Sequence, residues 1–414
     1  MPRAARRVLI VTYHFPPEPV SGALRMSYLD KYLPEFGWES VVITRGATSV
    51  AGDSRHIRVG PARRFVANAQ AARSTDGRPA VSSRLKALAR AVVFFPDRAA
   101  WWIPFALSAG LRATRSTHFD ALVTSAMPAS VHVAGGMLAR LTGIPWVADY
   151  RDLWTGNPHV EEPPLRENLL RRLELSALRP AAAITTITGD LAAHLRALHG
   201  CDVTAVPNAL DTSEWEDIPF AEPDRFRIVH AGSLYDGRRS PQRVFAEVAA
   251  LRTEGDGAGT HAQFDFFGPD AGDLLDSAQQ HGLNGDVRYH GVVPRRTALE
   301  AERNAALLLI LQPDDPKTAG EYGSKIFEYQ ASGRPILAVG PSGSVLRAYI
   351  EQNHLGWFAS TPDELRHGLR AAYRAWQANA LPVGTMGKVR SARAMAAEFA
   401  EVLTRVSAGG GTSQ

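Results

Sequence analysis

Short apolar runs recur along the chain, and most are followed by a stretch of helical period. Residues 8–12 (VLIVT) form a continuous β-branched run, as expected of a strand buried on both faces in a parallel sheet. A proline-rich turn spans residues 14–22 (HFPPEPVSG). It leads into helical spacing over 24–36, with Gly37 as the expected C-cap. Residues 40–44 (SVVIT) predict the next strand and complete a βαβ unit. Residues 46–82 show no clear period and predict a long loop with at most short elements. The alternation resumes with strands at 121–125, 146–149, 183–188 and 204–206, and helices at 132–142, 163–179 and 190–198. This is the signature of an open, doubly wound sheet of about 200 residues.

A polar stretch with two prolines, 210–224, predicts a boundary, after which the pattern restarts. Strands are expected at 227–230, 264–267, 287–289, 306–311 and 335–339. Helices are expected at 241–251, 298–305, 325–331, 362–379 and 388–406, and the tail 407–414 is expected to be disordered. The halves share a pattern but no sequence repeat. The expected domains are therefore 1–208, with the 388–406 helix, and 209–387.

Composition narrows the class. The chain has 414 residues, of which 45% are hydrophobic and 21% charged, an ordinary globular balance. One cysteine, Cys201, excludes an internal disulfide framework and a cysteine-based structural zinc site. No apolar run approaches the roughly 20 residues of a spanning helix. The N-terminus reads as no secretory signal, so the expected location is cytoplasmic. Residues 1–205 carry 25 basic and 16 acidic side chains, and the remainder carries 21 and 26. A basic first half suits an anionic surface or ligand. Nucleic acid is not expected, since zinc-finger spacing and RNA-binding aromatic motifs are absent. In residues 84–112, apolar and aromatic residues interleave with basic ones, and two prolines break the run. The preferred reading is a helix pair packed on the core. The alternative is peripheral contact with the inner face of a membrane.

In doubly wound sheets, ligands bind at the carboxyl ends of strands, so chemistry is sought there. Ser21-Gly22-Ala23 precedes a helix, where a glycine lets backbone N–H groups approach an anion. It is not a dinucleotide fingerprint, which counts against a nicotinamide enzyme. The run after Ala231 (GSLYDGRRSP) sets Arg238 and Arg239 near a helix start, where paired guanidinium groups suit a diphosphate. A solvated basic turn is the plainer reading. Gly320, Gly323 and Ser324 precede a helix that begins near Lys325, so backbone donors, a hydroxyl, a lysine and the helix dipole converge on a phosphate seat. Glu328 lies one turn beyond Lys325, placed to accept from ribose hydroxyls or simply to pair with the lysine. Together these loops point to a nucleotide diphosphate.

Five segments, in order, carry a resemblance: VTYHFPPEPVSGALR, TGIPWVADYRDLW, ITTIT with VPNALD, HAGSLYDGRRSP, and GSKIFEYQASGRPILAVG. Over about residues 6–400 the chain resembles the retaining glycosyltransferases of the GT-B fold, in the group called family four. The resemblance implies two Rossmann-like domains facing across a cleft, the first for a hydroxyl acceptor and the second for a nucleotide diphosphate sugar, with the last helix crossing back to the first domain. It implies transfer of sugar with retained anomeric configuration and without a metal or other cofactor. It places Gly22 near the donor diphosphate, Arg239 and Arg238 on the leaving diphosphate, and Val292 in the segment whose backbone reads the base. It also places Glu328 on the ribose, as the second glutamate of E-x7-E, and matches Asn208 and Asp211 to a hinge motif. The chain departs from the pattern in three places. Gly320 stands where the first glutamate belongs, with Glu321 one residue closer. Ser233 stands where many members have arginine. Arg151, between Asp149 and Asp152, stands where many have histidine. The DxRD cluster reads either as a contact for donor sugar or acceptor or as a structural ion-pair cluster. His132 reads as a recurring helix histidine or a core residue. Lys325 adds a phosphate contact. Two further readings stay open: another chemistry on this fold, such as a non-glycosidic coupling or a nucleotide-sugar epimerase, or a non-catalytic nucleotide-sugar-binding partner.

Overall fold

The computed structural model describes residues 5–18, 21–46, 54–60, 95–157, 160, 162–235, 237–320, 322–381 and 389–409. The chain divides into two compact units, Met1–Pro207 with Ala392–Gln414, and Asn208–Ser391.

The first unit is built on a seven-stranded parallel sheet. Its strands are β1 (Arg6–Thr12), β2 (Trp38–Arg45), β3 (His56–Val59), β4 (Ala121–Ala126), β5 (Trp146–Tyr150), β6 (Ala181–Thr186) and β7 (Val203–Ala205), in the order β3-β2-β1-β4-β5-β6-β7. Every residue of β4 and β5 is buried, including Thr124, Ser125 and Asp149, as in a parallel strand covered on both faces. The helices are α1 (Ser21–Tyr32), α2 (Ile103–Ser116), α3 (Ser130–Thr142), α4 (Pro164–Leu178) and α5 (Gly189–His199), with a short 3-10 turn at Leu33–Phe36. Gly37 ends that turn at φ +78°, as its sequence position predicted. α2 packs on α3, and α3 on α4.

The stretch 46–82 is not wholly loop. β3 pairs with β2 from Val42↔His56 to Arg45↔Val59. All four of its residues are only half-buried at the sheet edge and two are basic, so no apolar run announced it. Residues 61–82 and 84–94 lie outside the described residues. The described part of 84–112 folds into the core. Trp102 is fully buried and its Nε1 donates to the Val59 carbonyl at 3.0 Å, and α2 buries Ala106, Ala109 and Ala113. That is the packed-helix reading of the segment, and it withdraws these residues' buried face from any membrane.

The second unit has a six-stranded parallel sheet: β8 (Arg227–Ala231), β9 (Gln263–Phe267), β10 (Val287–Tyr289), β11 (Leu307–Leu311), β12 (Ile336–Val339) and β13 (Gly356–Ala359), in the order β10-β9-β8-β11-β12-β13. Its helices are α6 (Gln242–Thr253), α7 (Gly257–His261), α8 (Leu274–Gln280), α9 (Arg295–Arg303), α10 (Lys325–Ser332), α11 (Val345–Gln352) and α12 (Pro362–Gln377). The pattern missed α7, α8, α11 and β13. β13 opens on a glycine at φ +138°, whose missing Cβ would sit 2.1 Å from the Ile336 carbonyl oxygen, so the strand that needs this glycine also hides behind it. The last helix, α13 (Ala392–Gly409), packs against α1 within the first unit and buries Met395, Phe399 and Leu403. Residues 407–409, expected in a disordered tail, close this helix, and 410–414 lie outside the described residues.

Candidate functional site

Strand order reverses between β8 and β11 in the second unit, and crevices form at the carboxyl ends of strands on either side of such a switch. Three segments lead out from this point: the loop after Ala231, the start of α10, and α9. Side chains of α9 and α10, with Glu214, form one charged cluster. Lys325 Nζ donates to Glu302 Oε1 at 3.4 Å and to Glu328 Oε1. Arg295 reaches the other oxygen of Glu328 through Nη1 and Glu214 Oε2 through Nη2, the latter at 2.7 Å. Glu302 and Glu328 are buried, and Lys325 is half-buried.

The two carboxyls are pushed in opposite directions. Burial, then the neighbouring Glu328 charge, raises Glu302 well above the ordinary carboxylate range. Burial also opposes ionisation of Glu328, but Lys325 and Arg295 outweigh it and hold that carboxyl at about 2. Burial and the Glu328 charge thus oppose ionisation of Glu302, while Lys325 and Arg295 favour the charged form of Glu328. Burial works against the Lys325 charge, but Glu328 and Glu302 raise its pKa, so the lysine stays cationic at the mouth of α10. Ser324 is the N-cap and makes no side-chain cap bond, so its hydroxyl does not close off the helix start, and exposed Gly323 has open space beside it. A cation, unblocked backbone donors and a dipole at one helix start make an anion seat.

The loop after β8 adds to it. Ser233 Oγ donates to Asp270 Oδ2 and accepts from the Tyr235 amide at 3.0 Å, so Ser233 braces the turn. Arg239 lies over the Tyr235 ring, 4.5 Å from its centroid, and its Nε is buried without a hydrogen-bond partner. Arg238 is exposed beside it. His230, at the end of β8, is buried. Its Nδ1 meets the Leu309 carbonyl at 2.9 Å, and its Nε2 has no hydrogen-bond partner. Burial pushes its pKa down to about 4, helped by the charges of Arg239 and Lys325, so the ring is neutral. The His230 ring feels both cations, which ties the loop after β8 to the start of α10. Val292 stands exposed after β10, just beyond Gly291, whose carbonyl accepts from the Gly268 amide at 2.9 Å. Glu321 lies outside the described residues.

In the first unit the strand order reverses between β1 and β4. Asp149, at the end of β5, is fully buried. Arg25 donates to it through Nε and Nη2, at 3.0 and 2.9 Å to the nearest oxygens, and Ser125 and Thr185 hydroxyls donate at 3.0 and 2.8 Å. The structure corrects the contact reading of Asp149: its oxygens are turned to the interior, and it is the centre of a structural ion-pair cluster. Arg151 is half-buried and spans the end of β4, donating to the Ala126 carbonyl at 2.9 Å and the Met127 carbonyl at 3.2 Å. Its guanidinium covers Gly22, where an added Cβ would lie 2.5 Å from Nη1. A side chain at position 22 would make the Arg151 guanidinium shift. His132 is a core residue, buried with Nδ1 2.7 Å from Thr124 Oγ1, and burial pushes its pKa down to about 3. Beside the switch, His14 Nδ1 lies 2.7 Å from Glu18 Oε2, and Arg45 Nη2 donates to Glu18 Oε1 at 2.5 Å.

The comparisons bear on what this arrangement serves. Residues 22–209 match the family model described as a glycosyl transferase 4-like domain. The chain has the GT-B fold. Sucrose-phosphate synthase from Thermosynechococcus elongatus is similar at 15% identity and a TM-score of 0.66, covering 98% of this chain and 100% of that one. WaaG, a glycosyltransferase of lipopolysaccharide biosynthesis, is similar at 13% identity and a TM-score of 0.62, covering 96% and 99%. Anabaena HepE, solved with UDP-glucose, is similar at 13% identity and a TM-score of 0.56, covering 98% of each chain. No curated protein matches the sequence. The domain match and the fold together support a glycosyltransferase.

Sequence reasoning placed Lys325, Glu328, Ser233 and Arg239 on loops that the fold brings to one switch point. It missed Arg295, Glu302 and His230. Arg295 and Glu302 are seven residues apart on α9, two turns along one face, a spacing that was readable. What was not readable is that this face meets α10.

Proposed function

We propose that the protein is a retaining glycosyltransferase whose second unit binds a nucleotide diphosphate sugar and whose first unit holds a hydroxyl acceptor. The observation that carries this reading is the Arg295–Glu328–Lys325–Glu302 cluster at the start of α10. Glu328, ionised and held from both sides, is the acceptor for ribose hydroxyls. Lys325, with Arg238 and Arg239 on the neighbouring loop, offsets the charge that develops on the departing diphosphate. Glu302 accepts from Lys325 at 3.4 Å and helps hold the ammonium at the helix start. A neighbour of this fold solved with UDP-glucose supports a nucleotide sugar as donor.

In the transfer, the bond from the anomeric carbon to the β-phosphate oxygen breaks and its electron pair stays on that oxygen. The acceptor oxygen attacks from the same face and its proton passes to the leaving phosphate. Three basic side chains supply the positive charge, so the transfer proceeds without a metal. The reading is tested by incubating the protein with a panel of nucleotide sugars and lipid-linked or small hydroxyl acceptors, then assigning the product's anomeric configuration by NMR. A product with the donor's configuration supports it. An inverted product, a non-glycosidic product or an epimerised donor overturns it in favour of another chemistry on this fold.

A further inference from the structure

Six of the eleven large apolar residues that stand exposed among the described residues fall between Met137 and Leu175. Five of them lie on two helices that pack side by side, Met137 and Leu141 on α3 and Leu165, Leu169 and Leu175 on α4. Leu165 is 75% exposed and Leu141 63%. Isolated exposed apolar residues need no explanation, but five on adjacent outer helix faces do. α4 has already buried its inner face through Leu170, Ala177 and Leu178, so these leucines are a second apolar face on one helix.

The polar residues between them share one sign. Arg140, Arg171, Arg172 and Arg179 are exposed, and the other outward positions of α4 are Asn168 and Ser176. Among the described residues, the nearby acids are engaged elsewhere. Glu174 is buried against the Tyr150 hydroxyl, Glu167 accepts from the Gly156 amide, and Glu162 pairs with Arg166. Arg140 also ties the helices together by donating to the Ser176 carbonyl. A face of leucines set among unopposed arginines fits an anionic lipid surface: the leucines enter the headgroup boundary and the guanidinium groups meet phosphates. No helix among the described residues is long and apolar enough to cross a membrane, so the contact is peripheral.

We propose that the outer face of α3 and α4 docks the protein on an anionic membrane surface. This rests on the patch alone and stands or falls apart from the transfer reading. The test is co-sedimentation of the full chain with vesicles of phosphatidylcholine, with and without phosphatidylglycerol, at low and high salt. Binding is expected only with the anionic lipid and is expected to weaken as salt rises. Arg171→Gln with Arg172→Gln removes two charges at roughly a fivefold factor each, so affinity falls about twenty-five-fold. Leu165→Ser with Leu169→Ser weakens binding at both salt concentrations. All four positions are exposed, and circular dichroism checks that the variants stay folded. The proposal is overturned if wild type does not bind anionic vesicles at low salt, or if both double variants bind as wild type does. A concentration-dependent dimer that the leucine pair disperses, without vesicle binding, assigns the face to a second copy instead.

Discussion

Replacing Asp149 by alanine tests whether the ion-pair cluster at the end of β5 is structural. The carboxylate has no exposed surface and takes two guanidinium hydrogen bonds and two hydroxyl hydrogen bonds. Its partner Arg25 is itself 3% exposed, lying between β5 and α13 with Nη1 3.4 Å from Met395 Sδ. The variant strands that guanidinium without its carboxylate, which costs about 3–5 kcal/mol. The Ser125 and Thr185 hydroxyls also lose their acceptor, but they can turn, so they add less. Replacing both partners, as Arg25→Met with Asp149→Leu, removes the charges together and is expected to recover most of the loss. Hydrogen exchange read by mass spectrometry over β4 and β5 localises the effect to the first unit, with β11 and β12 as the internal control. A loss below about 1 kcal/mol in β4 and β5, or a double variant as unstable as the single one, refutes the reasoning.

Three further outcomes follow from the same geometry. Burial and the Glu328 charge oppose ionisation of Glu302, so Glu302→Gln is expected to keep nucleotide affinity within about threefold. A loss beyond tenfold by calorimetry would contradict that direction. His230 and His132 titrate near 4 and 3 when folded and near 6.5 when unfolded, so the unfolded chain binds protons more readily. Each histidine makes stability fall as pH drops below 6.5, by up to about 1.4 kcal/mol per unit, levelling once the pH passes below its folded value. Urea titrations of His230→Gln should show a shallower slope between pH 6.5 and 4, and an unchanged slope would contradict the assignment. Gly22→Ala pushes only on the movable end of Arg151 and is expected to cost less than about 1 kcal/mol in thermal unfolding. Adding Arg151→Ala should remove most of that cost, since the clash is with the arginine.

Much of the fold was legible because parallel strands buried on both faces read as unbroken apolar runs, as 8–12 and 307–311 do. The strands and helices that escaped are short or marginal. β3 lies half-buried at an edge, β13 begins on a glycine wedged against β12, and α8 is a seven-residue helix. The site was legible where its residues are neighbours in sequence. Lys325 and Glu328 are one turn apart, and the ion pair between them followed from spacing. Glu302 and Arg295 joined them only through tertiary packing of α9 on α10. For Asp149 the sequence left ligand contact and a structural cluster both open. An aspartate at a strand's carboxyl end suggests ligand contact, but Arg25, 124 residues away in sequence, turns it inward.

The central claim is that the second unit seats a nucleotide diphosphate at the start of α10. Isothermal titration calorimetry of UDP, GDP, dTDP and ADP against wild type, Glu328→Ala and Lys325→Ala tests it most directly, with circular dichroism to confirm that the variants are folded. The account predicts that wild type binds at least one of the four nucleotides and that both variants weaken that binding by more than tenfold. Binding unchanged in the folded variants, or no binding of any of the four by wild type, would contradict it.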